Sequence, residues 1–230
     1  MEKLAAVSPS AAGASSSLQL CTLDEAAAAV AGGSGVKFDE SIDVAVQLGV
    51  DPKKSDQMVR GAMVLPAGTG RSKRVAVVGN EADCQAALAA GADKAGLDDI
   101  IAEIKDGKTD FDVLIATPMV MRQLAAVGKI LGPKGLMPNP KDGTVAKDIA
   151  DAVGRAKSGQ VSYRCDKAGI VHTSVGRASF AAADIKRNIE SLLAALKRAK
   201  PSSSKGVYLR RMAVSATMGA SVLVDISSYR

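Results

Sequence analysis

The chain has 230 residues, 47% hydrophobic, 23% charged and 3% aromatic, with 30 Lys and Arg against 24 Asp and Glu. That composition supports one large or two ordinary aliphatic cores and excludes a disordered chain; the longest apolar stretches, such as Ala26–Gly32 and Val75–Gly79, fall far short of the roughly 18–20 residues that span a membrane. Three scattered cysteines, Cys21, Cys84 and Cys165, with no CxxC or HxxxH spacing, point to a reducing compartment and away from a disulfide framework or structural zinc, so neither metal nor cofactor is expected.

The net charge of +6 is unevenly spread: −3 over residues 1–66, +1 over 67–159 and +8 over 160–230. A basic surplus of that kind attracts a polyanion, most commonly nucleic acid, unless its cations merely solvate a surface. Between Lys3 and Asp24 no residue is charged, and residues 8–17 are Ser, Ala, Gly and Pro, which predicts a flexible tail over 1–20. It is Ser-rich and acid-poor like an organelle transit peptide yet lacks Arg, and reads as a remnant or altered terminus.

Thr22 and Glu25 form a capping-box pair, opening a helix with Leu23, Ala26, Ala27 and Val30 on one face and Gly32 and Gly33 beyond it. Ser41 to Leu48 alternates, which predicts a strand burying Ile42, Val44, Val46 and Leu48. Val59 to Leu65 is extended up to Pro66. Val75–Val78 and Val113–Ala116 read as buried parallel strands, followed by helices over Glu81–Ala90 and Pro118–Val127, with a short strand at Lys94–Gly96 and a helix over Asp98–Lys105 between. Glycines and prolines then cluster from Gly128 to Gly143 before a helix over Ala146–Ala156. Val161–Cys165 and Ile170–Val175, joined by Asp166-Lys167-Ala168-Gly169, read as a hairpin. Phe180 to Lys200 predicts a helix with Ile185, Ile189, Leu192, Leu193 and Leu196 inward. Val207–Ser215 and Ser221–Ile226 read as strands around Ala216-Thr217-Met218-Gly219.

Antiparallel segments at both ends and a parallel block between them predict an α/β fold of two domains. A discontinuous α+β outer domain with an antiparallel sheet (residues 1–66 and 160–230) would receive an inserted Rossmann-like α/β inner domain (67–159). The termini would lie together, and the crossings near Pro66 and Ser158-Gly159 would form a two-stranded hinge.

Few constellations carry chemistry. Val78-Gly79-Asn80-Glu81 supplies one glycine where a dinucleotide fingerprint needs three. Gly68-Thr69-Gly70-Arg71 and Gly132-Pro133-Lys134-Gly135 could face phosphate, but neither matches the P-loop and both read more simply as turns. His172 is the sole histidine; with Ser174 a hydrolytic dyad is conceivable, a hydrogen-bonded structural histidine simpler. An enzyme binding a nucleotide or phosphate metabolite in the central block is the alternative to a non-enzymatic RNA-binding protein. Lys37-Phe38 offers a cation and a ring for stacking on a base or ribose, or else a core phenylalanine. Thr217-Met218-Gly219 offers a hydroxyl, a soft side chain and a position without Cβ, or else an ordinary turn. Arg210 and Arg211 add charge beside it.

The stretches beginning at Lys37 (KFDESIDVAVQLGVDPKKSDQMVRGAMVLP), Gly68 (GTGRSKRVAV) and Ile130 (ILGPKGLMPNPKDGTV), with Gln160–Gly176 and Lys200–Gly219 ending SATMG, resemble the L-one family of large-subunit ribosomal proteins, bacterial or organellar in type. The resemblance spans about residues 22–226. It implies a structural protein of the mobile ribosomal stalk whose outer domain clamps a folded stalk of large-subunit ribosomal RNA, beside the exit site where deacylated tRNA leaves. It further implies repression of its own mRNA in bacterial members. Carried over by position, the RNA-contacting set is Lys37, Phe38, Ser41, Asp166, Lys167, His172, Ser215, Thr217, Met218 and Gly219, with Arg164, Arg210 and Arg211 auxiliary. The loop carrying Gly132, Pro133, Lys134, Gly135 and Asn139 falls in the inner domain, near the hinge or the tRNA. Expected partners are the rRNA stalk, exit-site tRNA, its own mRNA and other ribosomal components, with no membrane. The expected location is a ribosome, in a plastid first, then a mitochondrion, then a bacterial cytoplasm. Two departures stand out: the family's basic N-terminal helix is replaced by the uncharged tail, and Cys165 stands where Asn is common, which predicts one lost side-chain hydrogen bond.

Overall fold

A computed structural model describes residues 20–32 and 35–229. The flexible tail expected over 1–20 lies, apart from Leu20, outside the described residues. Strand β1 (Leu20–Cys21) leads into Thr22, whose hydroxyl accepts the Glu25 N–H at 3.4 Å while the Glu25 carboxylate accepts the Thr22 N–H at 2.9 Å. That capping box starts α1 (Leu23–Val30), which buries Leu23, Ala26, Ala27 and Val30. Strand β2 (Ser41–Leu48) buries every second residue, as its alternation predicts, and β3 (Arg60–Val64) follows.

The middle of the chain supplies β4 (Val75–Val78), α2 (Glu81–Ala89), β5 (Lys94–Gly96), α3 (Asp98–Lys105), β6 (Val113–Ala116), α4 (Met121–Leu124), α5 (Gly128–Leu131) and α6 (Ile149–Lys157). The three strands are parallel in the order β5-β4-β6. Successive residues of β4 feed two cores: Ala76 and Val78 pack with Ile100, Ile104 and Leu124, while Val75 and Val77 pack with Ala87, Ile149 and Val153. Helices therefore cover both faces of this small sheet.

The chain then adds β7 (Gln160–Arg164), β8 (Ile170–Arg177), α7 (Ala182–Arg198), β9 (Leu209–Ala216) and β10 (Ser221–Val224). These return to the first part, giving a five-stranded sheet β1-β10-β9-β2-β8 and a two-stranded ribbon β3-β7. Only the β1–β10 pair of that sheet is parallel, so the first and last described segments lie side by side. Helix α7 presses Ile185, Ile189, Leu192, Leu193 and Leu196, and α1 presses Leu23, Ala26, Ala27 and Val30, onto one face of the five-stranded sheet, in one core with Val44, Val46, Val171 and Val214. Its other face is left open. The fold is thus α/β, a discontinuous α+β outer domain with an inserted Rossmann-like inner one.

Three sequence expectations are corrected. Residues 161–175 do not close a hairpin ladder, because β7 pairs with β3 and β8 with β2. Only the Cys165–Val171 bridge and the Asp166 N–H to Ile170 carbonyl bond (2.8 Å) hold the two strands' near ends before they part into separate sheets. The helix expected over 118–127 is broken: a 3₁₀ turn (Ala125–Val127) separates α4 from α5, and β-branched Val127 leaves helical geometry at φ −97°, ψ 4°. The helix expected from Ala146 begins at Ile149, because Val145 bridges Ala116 and the Ala146 N–H bonds the Ala116 carbonyl at 3.3 Å.

Candidate nucleic-acid interface

The open face of the five-stranded sheet is set by strand registers. Ser174, Asp43 and Ser215 lie side by side across β8, β2 and β9, and His172, Ala45 and Ala213 form the next row. Apart from His172 and Asp43 these side chains are small, so the face is flat enough for a polymer backbone to lie on. His172 is exposed on the edge strand, aligned with Ala45, and Ser174 Oγ, two residues along, donates to the Ile42 carbonyl at 3.4 Å.

At one end of this face the β9–β10 turn is fastened to the start of β2. The Thr217 Oγ1 accepts the Ser41 N–H and donates to the Ser41 carbonyl, both at 3.1 Å. The Met218 N–H donates to the Glu40 carboxylate at 2.8 Å, and Glu40 is only 1% exposed. Held from below, the turn points Met218 outward at 66% exposure, and Phe38 stands exposed at 54% beside exposed Lys37. Phe38 is therefore a surface ring and not a core residue. A Cβ on Gly219 would fall 3.1 Å from that of Ala216, so close packing within the turn itself favours glycine there.

Arg71 donates to Ser41 Oγ at 3.3 Å, and Arg177 donates to the Asp39 carbonyl at 2.7 Å. Together with Phe38, Asp43, Ser174 and Thr217 they rim a depression of about 570 Å³. The Gly68–Arg71 turn thus reaches this surface from the inserted side, its Gly70 needed where a Cβ would lie 2.7 Å from Arg177 Cγ.

Asp166, Lys167 and Arg164 are exposed at the opposite end, because Ile170 aligns with Gln47 while Arg177 aligns with Ser41. At the ordinary strand rise, β2 separates these ends by about 23 Å. The sequence-derived set therefore divides: Lys37, Phe38, Ser41, Ser215, Thr217, Met218 and Gly219 at one end, Asp166 and Lys167 at the other, His172 between. Arg211 aligns with Gln47 on the open face, and Arg210 is exposed in the irregularity where Leu48 pairs with Leu209. Cys165 is buried, its thiol donating to the Asp166 carbonyl at 3.6 Å with its pKa pushed up by burial, so it supports the turn from the core.

A model of the Ribosomal protein L1p/L10e family matches residues 27–220. The chain belongs to that family. It is 58% identical over 207 residues, 90% of each chain, to large ribosomal subunit protein uL1 of Ectopseudomonas mendocina. It is 63% identical to the protein of that name from Polaromonas, over 82% of each chain, and 59% identical to that from Bordetella pertussis, over 84% of this chain and 83% of the relative. This is a ribosomal, non-enzymatic family, which removes the nucleotide-enzyme alternative. Its relatives here are bacterial, so the preference for a plastid drawn from the Ser/Ala tail is not supported.

Within this family member, the inner loop makes its contacts in the middle part of the chain. Gly132, Pro133, Lys134 and Gly135 are exposed, with Lys134 Nζ donating to Thr109 Oγ1 at 2.7 Å. Asn139 is structural: its Oδ1 accepts the Lys141 N–H at 2.9 Å, and its own N–H donates to Thr144 Oγ1 at 2.8 Å. Two residues that hold the site escaped sequence reasoning, Glu40 and Asn188, and Arg71 was singled out there only within a turn that could face phosphate. Glu40 carries the turn, Arg71 reaches it from the insertion, and Asn188, fully buried on α7, donates to the Val175 carbonyl at 2.7 Å and the Gly68 carbonyl at 3.1 Å. A polar residue on an otherwise apolar helical face was the available signal for Asn188; charge alone did not distinguish Glu40, and the glycine-rich turn before Arg71 was the signal for that residue.

Proposed function

We propose that the protein is a structural component of the large subunit of a bacterial ribosome, binding a folded stalk of large-subunit rRNA with the open face of its outer domain. The contacts assigned are Lys37, Phe38, Ser41, Asp166, Lys167, His172, Ser215, Thr217, Met218 and Gly219, with Arg164, Arg210 and Arg211 auxiliary. The observation that carries the reading is the pair of exposed apolar side chains, Phe38 and Met218, beside a turn locked by Thr217 and Glu40. A rigid turn with an outward ring and thioether reads the shape of a folded RNA, and the basic residues supply affinity. Residues 1–66 and 160–230 would form the RNA-binding domain and 67–159 the insertion. The insertion, with the Gly132–Asn139 loop, is placed toward the exit-site tRNA whose release the stalk assists, and the same RNA surface serves repression of the protein's own mRNA.

A titration of the full chain against a stalk fragment and a composition-matched scrambled hairpin, at low and physiological salt, tests this. The stalk fragment should win by tenfold or more, about 1.4 kcal/mol, and keep that lead as salt rises. Equal binding that falls away together with salt would reduce the surface to a nonspecific polyanion site.

A further inference from the structure

Beyond the far end of the open face, two chain segments converge that the RNA set above touches only at auxiliary Arg210. The stretch after β2 and the stretch before β9 cross at Gly49, whose N–H donates to the Tyr208 carbonyl at 2.6 Å. A Cβ on Gly49 would lie 2.1 Å from the Val207 carbonyl oxygen, so only glycine permits the crossing. Two buried polar side chains then fix the segments. Ser204 Oγ donates to the Gly49 carbonyl at 3.0 Å, and Gln57 donates to the Ser203 carbonyl at 3.2 Å while its Oε1 accepts the Asp51 N–H at 2.8 Å.

That scaffold encloses an open depression of about 420 Å³, rimmed by Lys54, Lys205 and Arg210. All three cations are exposed, and none has an ion-pair partner among the described residues. The contrast with the near end is informative, since Arg177 there is paired with Asp39 at 3.9 Å. The one carboxylate at the rim, Asp51, accepts the Lys53 N–H at 3.2 Å. Three unpaired cations against one carboxylate leave a net positive charge on this braced loop crossing, a surface for successive phosphates.

We infer that Lys54, Lys205 and Arg210 form a second anchoring site for the RNA sugar–phosphate backbone, so that bound RNA runs the length of the open face from the Phe38–Met218 turn past Lys167 into this depression. The inference rests on the RNA-binding reading above. The two sites divide the labour: the near end fits shape, and the far end neutralises charge without reading sequence.

The test compares the salt dependence of binding of the full chain, the triple variant K54Q/K205Q/R210Q and Phe38→Ala, each with the stalk fragment and the scrambled hairpin. Each phosphate contact contributes roughly 0.7–0.9 to the slope of log K against log salt. The triple variant should therefore lose about 2 from that slope and bind at least tenfold more weakly at physiological salt. Phe38→Ala should weaken stalk binding with the slope unchanged. The substituted side chains are exposed, and matching thermal melts confirm that the fold is kept. An unchanged slope in the triple variant overturns the second site, whatever the stalk preference. A wild-type chain without stalk preference overturns shape reading, while the slope difference, measured on either RNA, still decides this site.

Discussion

Phe38 and Met218 expose more than half of their surface, so removing them leaves the core untouched. Phe38→Ala and Met218→Ala should each raise the Kd for the stalk fragment about tenfold or more, the scale of a lost stacking or apolar contact, and shift the melting temperature little. Equal losses on stalk and scrambled RNA would show that neither side chain reads shape. Tyr208 tests the protein from within. Its hydroxyl is buried without a hydrogen-bond partner among the described residues, and burial pushes its pKa up to about 12. The unfolded phenol ionises near pH 10 while the folded one keeps its proton, so stability present below about pH 10 should fall between about pH 10 and 12. Tyr208→Phe should flatten that alkaline limb by roughly 2 kcal/mol in denaturation curves and cost little at neutral pH, there being no hydrogen bond to lose. An alkaline limb equally steep in both proteins would count against the assignment.

At the scale of elements, α7 joins the sheet core to the first crossing between the domains. Asn188 Oδ1 accepts the Ala67 N–H at 3.0 Å, in addition to its two donated bonds, so one buried amide satisfies three backbone groups on β8 and residues 67–68. Asn188→Leu keeps the branched shape and strands all three, which should lower stability by about 2–4 kcal/mol in urea unfolding. A loss below about 1 kcal/mol would mean that water replaces the amide. The elements legible in the sequence were those whose partners are implied by their own periodicity: β2 by alternation, α1 by its capping box, α7 by its apolar stripe. What was not legible depends on pairing between distant segments. Nothing in residues 160–175 says that β7 should leave β8 for β3, about 100 residues earlier in the chain. The site follows the same division. The Lys37-Phe38 and Thr217–Gly219 motifs stood out by residue type, whereas Glu40 acquires its role only when the β9–β10 turn folds over it.

At the scale of the whole molecule, the inserted domain hangs on two crossings that touch. A Cβ on Gly159 would lie 2.7 Å from Gly68 Cα, and the Leu65 N–H bonds the Gly159 carbonyl at 3.3 Å. The β3–β7 ribbon continues this neck, and side chains clasp it to the insertion. Arg60 on β3 makes a bidentate pair with buried Asp142, its Nε donating at 3.0 Å, and that hydrogen-bonded carboxylate raises the guanidinium pKa. Gln160 on β7 donates to the Asp142 carbonyl at 2.7 Å and accepts Lys73 Nζ, whose pKa burial pushes down. This charged cluster adds a side-chain clasp to the backbone contact at the neck. Asp142→Ala removes the carboxylate at its centre while leaving the open face of the outer sheet intact. Small-angle scattering should then show a broader distribution of shapes with a larger radius of gyration, and stability should fall by about 1–3 kcal/mol, as for a partly buried ion pair broken on one side. Stalk affinity should stay within about threefold, because the proposed RNA contacts lie on the outer sheet, away from Asp142. An unchanged scattering profile would mean that the crossings alone fix the angle; a large loss of stalk affinity would mean instead that the insertion takes part in holding the RNA.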